Sequence, residues 1–151
     1  MKKKTIIISV LVLLVAIFFI SKGTTTGNAT QTLPVATGAT EIPITEITEQ
    51  AKWYEYESGG KKIQFFAVRA SDGTIRTAFD ACDVCYGSKK GYRQEGDQMV
   101  CNNCGNRYPV DGLGTENKAG GGCWPGYLPS EVRGDTLVIK NSDLDAGKYR
   151  F

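Results

Sequence analysis

Four cysteines fall in two matched couplets, Cys82-Asp-Val-Cys85 and Cys101-Asn-Asn-Cys104, with fifteen residues between them. Cysteines three apart on a tight turn aim both sulfurs to one side. Two such turns in one chain are the signature of a shared centre held by four thiolates. The fold must therefore bring two separate strand-end loops together. The chain has no histidine, so a soft-metal site has only sulfur to draw on, with carboxylate oxygen as the remaining donor.

Two disulfides are the competing use of these cysteines, and an oxidising compartment would permit them. Bridges within each couplet would close tiny loops and restrict the unfolded chain little. Bridges between couplets would leave their matched geometry without a purpose. A thioredoxin-type thiol pair needs its first cysteine at a helix N-terminus, and neither couplet precedes a helical pattern. Gly105 follows Cys104 and can take a backbone angle closed to other residues, which lets that knuckle turn tightly. Backbone N–H groups inside such turns face the sulfurs and stabilise thiolate charge. Cys123 is the fifth cysteine, in Gly120-Gly-Gly-Cys123-Trp-Pro-Gly126. It reads either as an extra or exchangeable ligand on a loop lying over the site, or as a buried free thiol. Asp80, Asp83, Lys89, Lys90 and Arg93 surround the first couplet and read as a partner-steering charge set or a solvated loop face.

The start of the chain has a different character. Met1-Lys-Lys-Lys4 precedes an apolar run over residues 6–20. By the positive-inside rule this places the N-terminus in the cytoplasm and the remainder outside. As a helix the segment spans roughly 25 Å at about 1.5 Å per residue, slightly under the ~30 Å hydrocarbon core. A cleavable signal peptide has the same layout, with a weak small-x-small site at Ser21-Lys22-Gly23. With no Ala-x-Ala site, we expect an uncleaved, single-pass anchor over residues 1–22 in the cell membrane. Residues 23–40 are rich in Thr, Gly and Ala and read as a flexible tether. The expected exported domain is 41–151. Four of the eighteen basic residues, Lys2, Lys3, Lys4 and Lys22, belong to the leader, leaving fourteen against sixteen acidic ones. With no basic stripe, nucleic acid is not an expected partner.

Within the domain, aromatic and β-branched runs alternate with Gly-containing turns. Strands are expected at 53–57, 63–70, 75–79, 98–100 and 136–140, with a hairpin at Glu95-Gly96-Asp97. Residues 44–52 offer the only helical candidate. The domain is therefore expected to be all-β, a small sandwich or barrel carrying two cysteine knuckle loops behind an N-terminal transmembrane helix.

Four segments together carry a family resemblance: Phe79-Asp-Ala-Cys82-Asp-Val-Cys85-Tyr86, Lys90-Gly-Tyr-Arg-Gln-Glu-Gly96, Met99-Val-Cys101-Asn-Asn-Cys104-Gly-Asn-Arg-Tyr108 and Gly121-Gly-Cys123-Trp-Pro125. Over residues 53–151 the chain resembles the FtrD-like membrane iron–sulfur proteins. The resemblance implies a membrane-attached protein with an iron–sulfur centre, in some systems working beside high-affinity iron permeases. The order of loops is also similar to a Rieske domain, but Cys85 and Cys104 stand where Rieske loops carry histidine. Thiolate in place of imidazole stabilises oxidised iron, so a two-iron cluster here is expected near −400 mV, against about −150 to +300 mV for Rieske centres.

The leading expectation is a membrane-anchored electron carrier, not a catalyst, with a 2Fe-2S cluster on Cys82, Cys85, Cys101 and Cys104. A redox protein or metal-uptake permease is its expected partner. A structural zinc knuckle in an interaction module, or a metal-delivery protein without redox role, are the alternatives.

Overall fold

The computed structural model describes residues 30–32 and 38–151. The apolar run at 6–20 lies outside these residues, as does most of the tether. No helix among the described residues is long and apolar enough to cross a membrane. Ten strands follow in order: β1 (Gln31–Thr32), β2 (Ala39–Pro43), β3 (Lys52–Ser58), β4 (Lys61–Arg69), β5 (Ile75–Phe79), β6 (Tyr92–Glu95), β7 (Gln98–Cys101), β8 (Arg107–Pro109), β9 (Glu131–Arg133) and β10 (Thr136–Lys140). One short helix, α1 (Asn141–Ala146), follows β10. The domain is mostly β, as its pattern of strand runs and glycine turns indicates.

The strands form three sheets, ordered β1-β3-β4-β5, β2-β10-β9 and β6-β7-β8. The first is central and is covered on both faces. Because side chains alternate along a strand, β3 and β4 send successive residues into different cores. Tyr54, Tyr56, Ile63 and Phe65 pack with Ile42, Leu137, Ile139 and Leu144 on the side of β2 and β10. Trp53, Phe66 and Val68 pack on the other side with Tyr92, Met99 and Cys101 of the third sheet. The middle of β4 accordingly buries consecutive apolar residues, Phe65 to Val68, as a doubly covered strand should.

Two expectations shift. Strand β2 begins at Ala39, inside the segment read as tether, and Thr40 is buried, its hydroxyl bonded to Asn141 Oδ1 at 3.0 Å. Its partner is β10, paired Thr40 to Ile139, so a polar stretch becomes a strand through a contact a hundred residues away. The helical candidate at 44–52 yields only a 3-10 turn, Ile44–Glu46, and its remaining residues open directly into β3.

Candidate metal centre

Each couplet hangs from the end of a strand in the second core. Cys82 lies three residues beyond β5, and Cys101 is the last residue of β7. Both are buried, Cys85 and Cys123 are half-buried, and Cys104 is exposed. All five are free thiols.

The turns have the knuckle form read from their spacing. The Cys85 N–H donates to Cys82 Sγ at 2.9 Å. In the second knuckle Gly105 has φ +75, and its N–H bonds back to Cys101 O at 2.9 Å while Cys101 N–H reaches Asn106 O at 2.9 Å. The N–H groups of Cys104 and Asn103 face Cys101. Oriented backbone dipoles of this kind are what a thiolate needs when burial denies it water.

A third loop joins them. Strand-like contacts carry it past β5: Phe79 N–H bonds to Gly126 O and Gly126 N–H to Ala81 O, both at 2.8 Å. Asp83, between the two cysteines of the first couplet, fixes the loop's glycine end. Its Oδ2 accepts the Gly121 N–H at 2.9 Å, and its Oδ1 accepts the Tyr149 hydroxyl at 2.8 Å and both Nε and an Nη of Arg150 at 3.0 and 2.7 Å. Burial pushes this carboxyl up, but those donors outweigh it and hold it below the usual range. Asp83 is thus a clamp between three segments, where the sequence suggested a steering charge or a solvated one. The result is Cys123 Sγ only 3.7 Å from Cys85 Sγ.

Tyr92 completes the arrangement from below. It pairs across the sheet with Cys101, and its hydroxyl donates to Cys123 O at 2.5 Å. Burial, then the neighbouring Cys82 thiol, push its own ionisation far above the ordinary phenol range. One residue therefore touches elements bearing three of the five cysteines. Its strand register is the only sequence signal that could have found it. Trp124 packs on Tyr108, ring centres 4.6 Å apart, and seats against Gly112, where a Cβ would strike its ring. The apolar cap expected from Trp124-Pro125 is built this way.

The sulfurs gather as two trios, Cys82 with Cys85 and Cys123, and Cys85 with Cys101 and Cys104. Within each trio all Sγ atoms lie within 4.8 Å of one another. Cys85 belongs to both. Electrostatics show what the grouping requires. Burial of Cys82 pushes its thiol up, yet the N–H groups of Cys85 and Val84 and the adjacent Tyr92 hydroxyl leave it lowered. The Asn106 N–H lowers Cys104. Cys101 is raised by burial, despite the Cys104 and Asn103 N–H groups. Burial, then the Cys85 and Cys104 thiols, push Cys123 up to about 12. Five thiols this close cannot all ionise unless a cation sits among them. The donor set, its spacing and its N–H bonds fit a thiolate-bound metal centre.

Of the remaining charges, Arg93 pairs with Glu95 at 2.7 Å and donates to Asn102 Oδ1, inside the second couplet, at 2.9 Å. Asp80 is half-buried, accepts the Tyr92 N–H at 2.8 Å, and is raised to about 7 by desolvation.

Residues 47–151 match a protein family described as membrane iron-sulfur containing protein, FtrD-like. Neither the curated proteins nor the solved structures contain a match.

Proposed function

We propose that this chain, which belongs to the FtrD-like family of membrane iron–sulfur proteins, is an electron carrier held at the outer face of the cytoplasmic membrane. Cys82, Cys85, Cys101 and Cys104 are the ligands of a two-iron cluster in this reading, with Cys123 beside them as a fifth sulfur and an extra or exchangeable ligand. The observation that carries it is the grouping of the sulfurs into two trios that share Cys85. A single tetrahedral zinc at about 2.3 Å from each sulfur would need four sulfurs all roughly 3.8 Å from one another. Among the described residues no four are that close. Five sulfurs in two overlapping trios exceed the four that one tetrahedral ion takes, and suit two metal positions, each with two thiolates of its own.

Bound there, an iron–sulfur cluster supplies a reversible one-electron couple. The chain's own residues hold thiolate charge through the N–H groups at Cys82 and Cys101, while Trp124 and Tyr108 cover one side. Cys104 is the exposed member, giving an electron a short route to a docked partner. The absence of histidine removes the usual proton shuttle at neutral pH, which supports a carrier over a catalyst. The lysine-flanked apolar run at 6–20 supports a single-pass anchor with the cysteine domain outside, and a redox protein or metal-uptake permease is the partner this placement suits. The loop order, two knuckles and then a Pro-containing cover, supports a Rieske-like arrangement with cysteine in place of histidine.

An anaerobic redox titration of the full-length protein, followed by visible absorption and electron paramagnetic resonance, tests the proposal. It predicts a coloured protein with a reversible one-electron step near −400 mV, the range of all-thiolate two-iron clusters. A colourless protein with no reducible signal removes the carrier and leaves the zinc knuckle.

A further inference from the structure

A cavity of about 430 Å³ opens beside the sulfurs, with Cys82, Cys85 and Cys101 in its wall. Roughly 300–1,000 Å³ is the size that encloses a small molecule. Its other walls carry five cations: Lys61, Lys62, Lys89, Lys90 and Arg150. Two of these are already neutralised, Arg150 by Asp83 at 2.7 Å and Lys62 by Glu55 at 2.9 Å. Lys61 is likewise engaged, donating to a main-chain oxygen of Phe151 at 2.9 Å. Lys89 and Lys90 are exposed and make no ion pair among the described residues. Against these cations stands the Asp80 side-chain carboxyl, half-buried and bonded to the Tyr92 N–H.

The two unpaired lysines sit on a loop that is held still. Lys89 has φ 52 and ψ 33, and it is the only non-glycine residue with positive φ among those described. A residue with a Cβ keeps that conformation only where its surroundings impose it. The bonds that do so are Lys89 N–H to Tyr86 O at 3.0 Å, Asn102 Nδ2 to Lys90 O at 2.9 Å and Asn102 N–H to Gly91 O at 3.0 Å. Gly91 lies so close against the Asp80 carboxylate that a Cβ would collide with it. A freely solvated lysine pair needs none of this.

We propose that the cavity binds a small anion carrying two or more carboxylate or phosphate charges, paired with Lys89 and Lys90 and resting against the sulfur wall. The inference rests on the reading of the cysteines as a metal centre, and deepens it by placing a ligand next to that centre. Fixed cations in a concave site favour a multiply charged anion over a singly charged one, because each charge finds a separate partner without reorganising the loop.

Calorimetric titration of the full-length, detergent-solubilised, metal-loaded protein with citrate, inorganic phosphate and uncharged glycerol tests this. One of the two anions binds at one site per chain, weakening with added salt, and glycerol does not bind. Which anion binds tells carboxylate from phosphate chemistry. The double variant Lys89→Gly, Lys90→Gln keeps the left-handed turn and removes two charges; it lowers the affinity by roughly tenfold. Lys140→Gln, on β10 and away from the cavity, leaves affinity unchanged. Failure of both anions to bind, or equal binding by the double variant, overturns the proposal. Iron and sulfide assayed on the same samples separate the two readings: a metal-loaded chain that binds no anion overturns only the cavity, whereas a metal-free chain that still binds one overturns only the metal centre.

Discussion

Asp83→Ala tests whether the third loop is delivered to the sulfurs by a clamp. The carboxylate accepts four hydrogen bonds, from Gly121, Tyr149 and twice from Arg150. Its ion pair with Arg150 is partly enclosed: the Arg150 side chain is 11% exposed and Asp83 28%. Fully exposed pairs contribute ~0.2–1 kcal/mol, and breaking a fully buried one costs ~3–5 kcal/mol. This pair lies between, because water still reaches Asp83, and Arg150 keeps its stacking on the Tyr149 ring at 4.3 Å when the carboxylate is gone. The expected loss is about 2 kcal/mol for Asp83→Ala and about half that for Asp83→Asn, which retains an acceptor oxygen. Urea unfolding of the reduced, metal-free full-length chain measures it, with an unchanged m-value. Mass-spectrometric alkylation rates supply the specific readout: Cys123 should react several-fold faster in Asp83→Ala while the buried Cys82 keeps its rate. A loss under ~0.5 kcal/mol, the scatter of ordinary surface changes, together with an unaltered Cys123 rate, refutes the clamp.

Three further outcomes follow from other sites. Tyr54 is fully buried, its hydroxyl has no hydrogen-bond partner among the described residues, and burial and then Glu46 raise it to about 12. Between about pH 10 and 12 the unfolded phenol ionises while the folded one keeps its proton, so stability falls as pH rises; Tyr54→Phe should show a shallower alkaline loss and gain up to ~1 kcal/mol at pH 7 by removing an unpaired polar group. Gly147→Ala would drive a Cβ into the Phe79 ring, and thermal unfolding should show a net loss of ~1–3 kcal/mol from overpacking. Tyr92→Phe strands the Cys123 carbonyl and should lower stability by ~1–2 kcal/mol; an unchanged unfolding midpoint would show that this bond does not hold the loop.

Legibility followed the range of the interactions. The strands at 53–57, 63–70 and 75–79 were readable because aromatic runs and glycine turns are local, and β3, β4 and β5 lie where those runs fall. Strand β2 was not, since Ala39-Thr40 has no apolar pattern of its own and is ordered by β10. The six residues of α1 are too few to display a helical period. At the site, both couplets and the turn at Gly105 were visible in spacing alone. The approach of Cys123 was not, because it depends on Asp83, Gly126 and Tyr92 meeting across three loops. Asp83 misled for the same reason: its sequence neighbours do not reveal the Arg150 that makes it a structural anion. Lys89 and Lys90 read as a steering or solvated pair, and what distinguishes them, a strained backbone over a cavity, exists only in three dimensions.

In the proposed reading the two knuckles and the Cys123 loop converge on one two-metal centre. Iron, zinc and acid-labile sulfide, quantified together on the anaerobically purified full-length protein, test it most directly. Two iron and two sulfide per chain and no zinc are expected. One zinc per chain with no sulfide would contradict that reading.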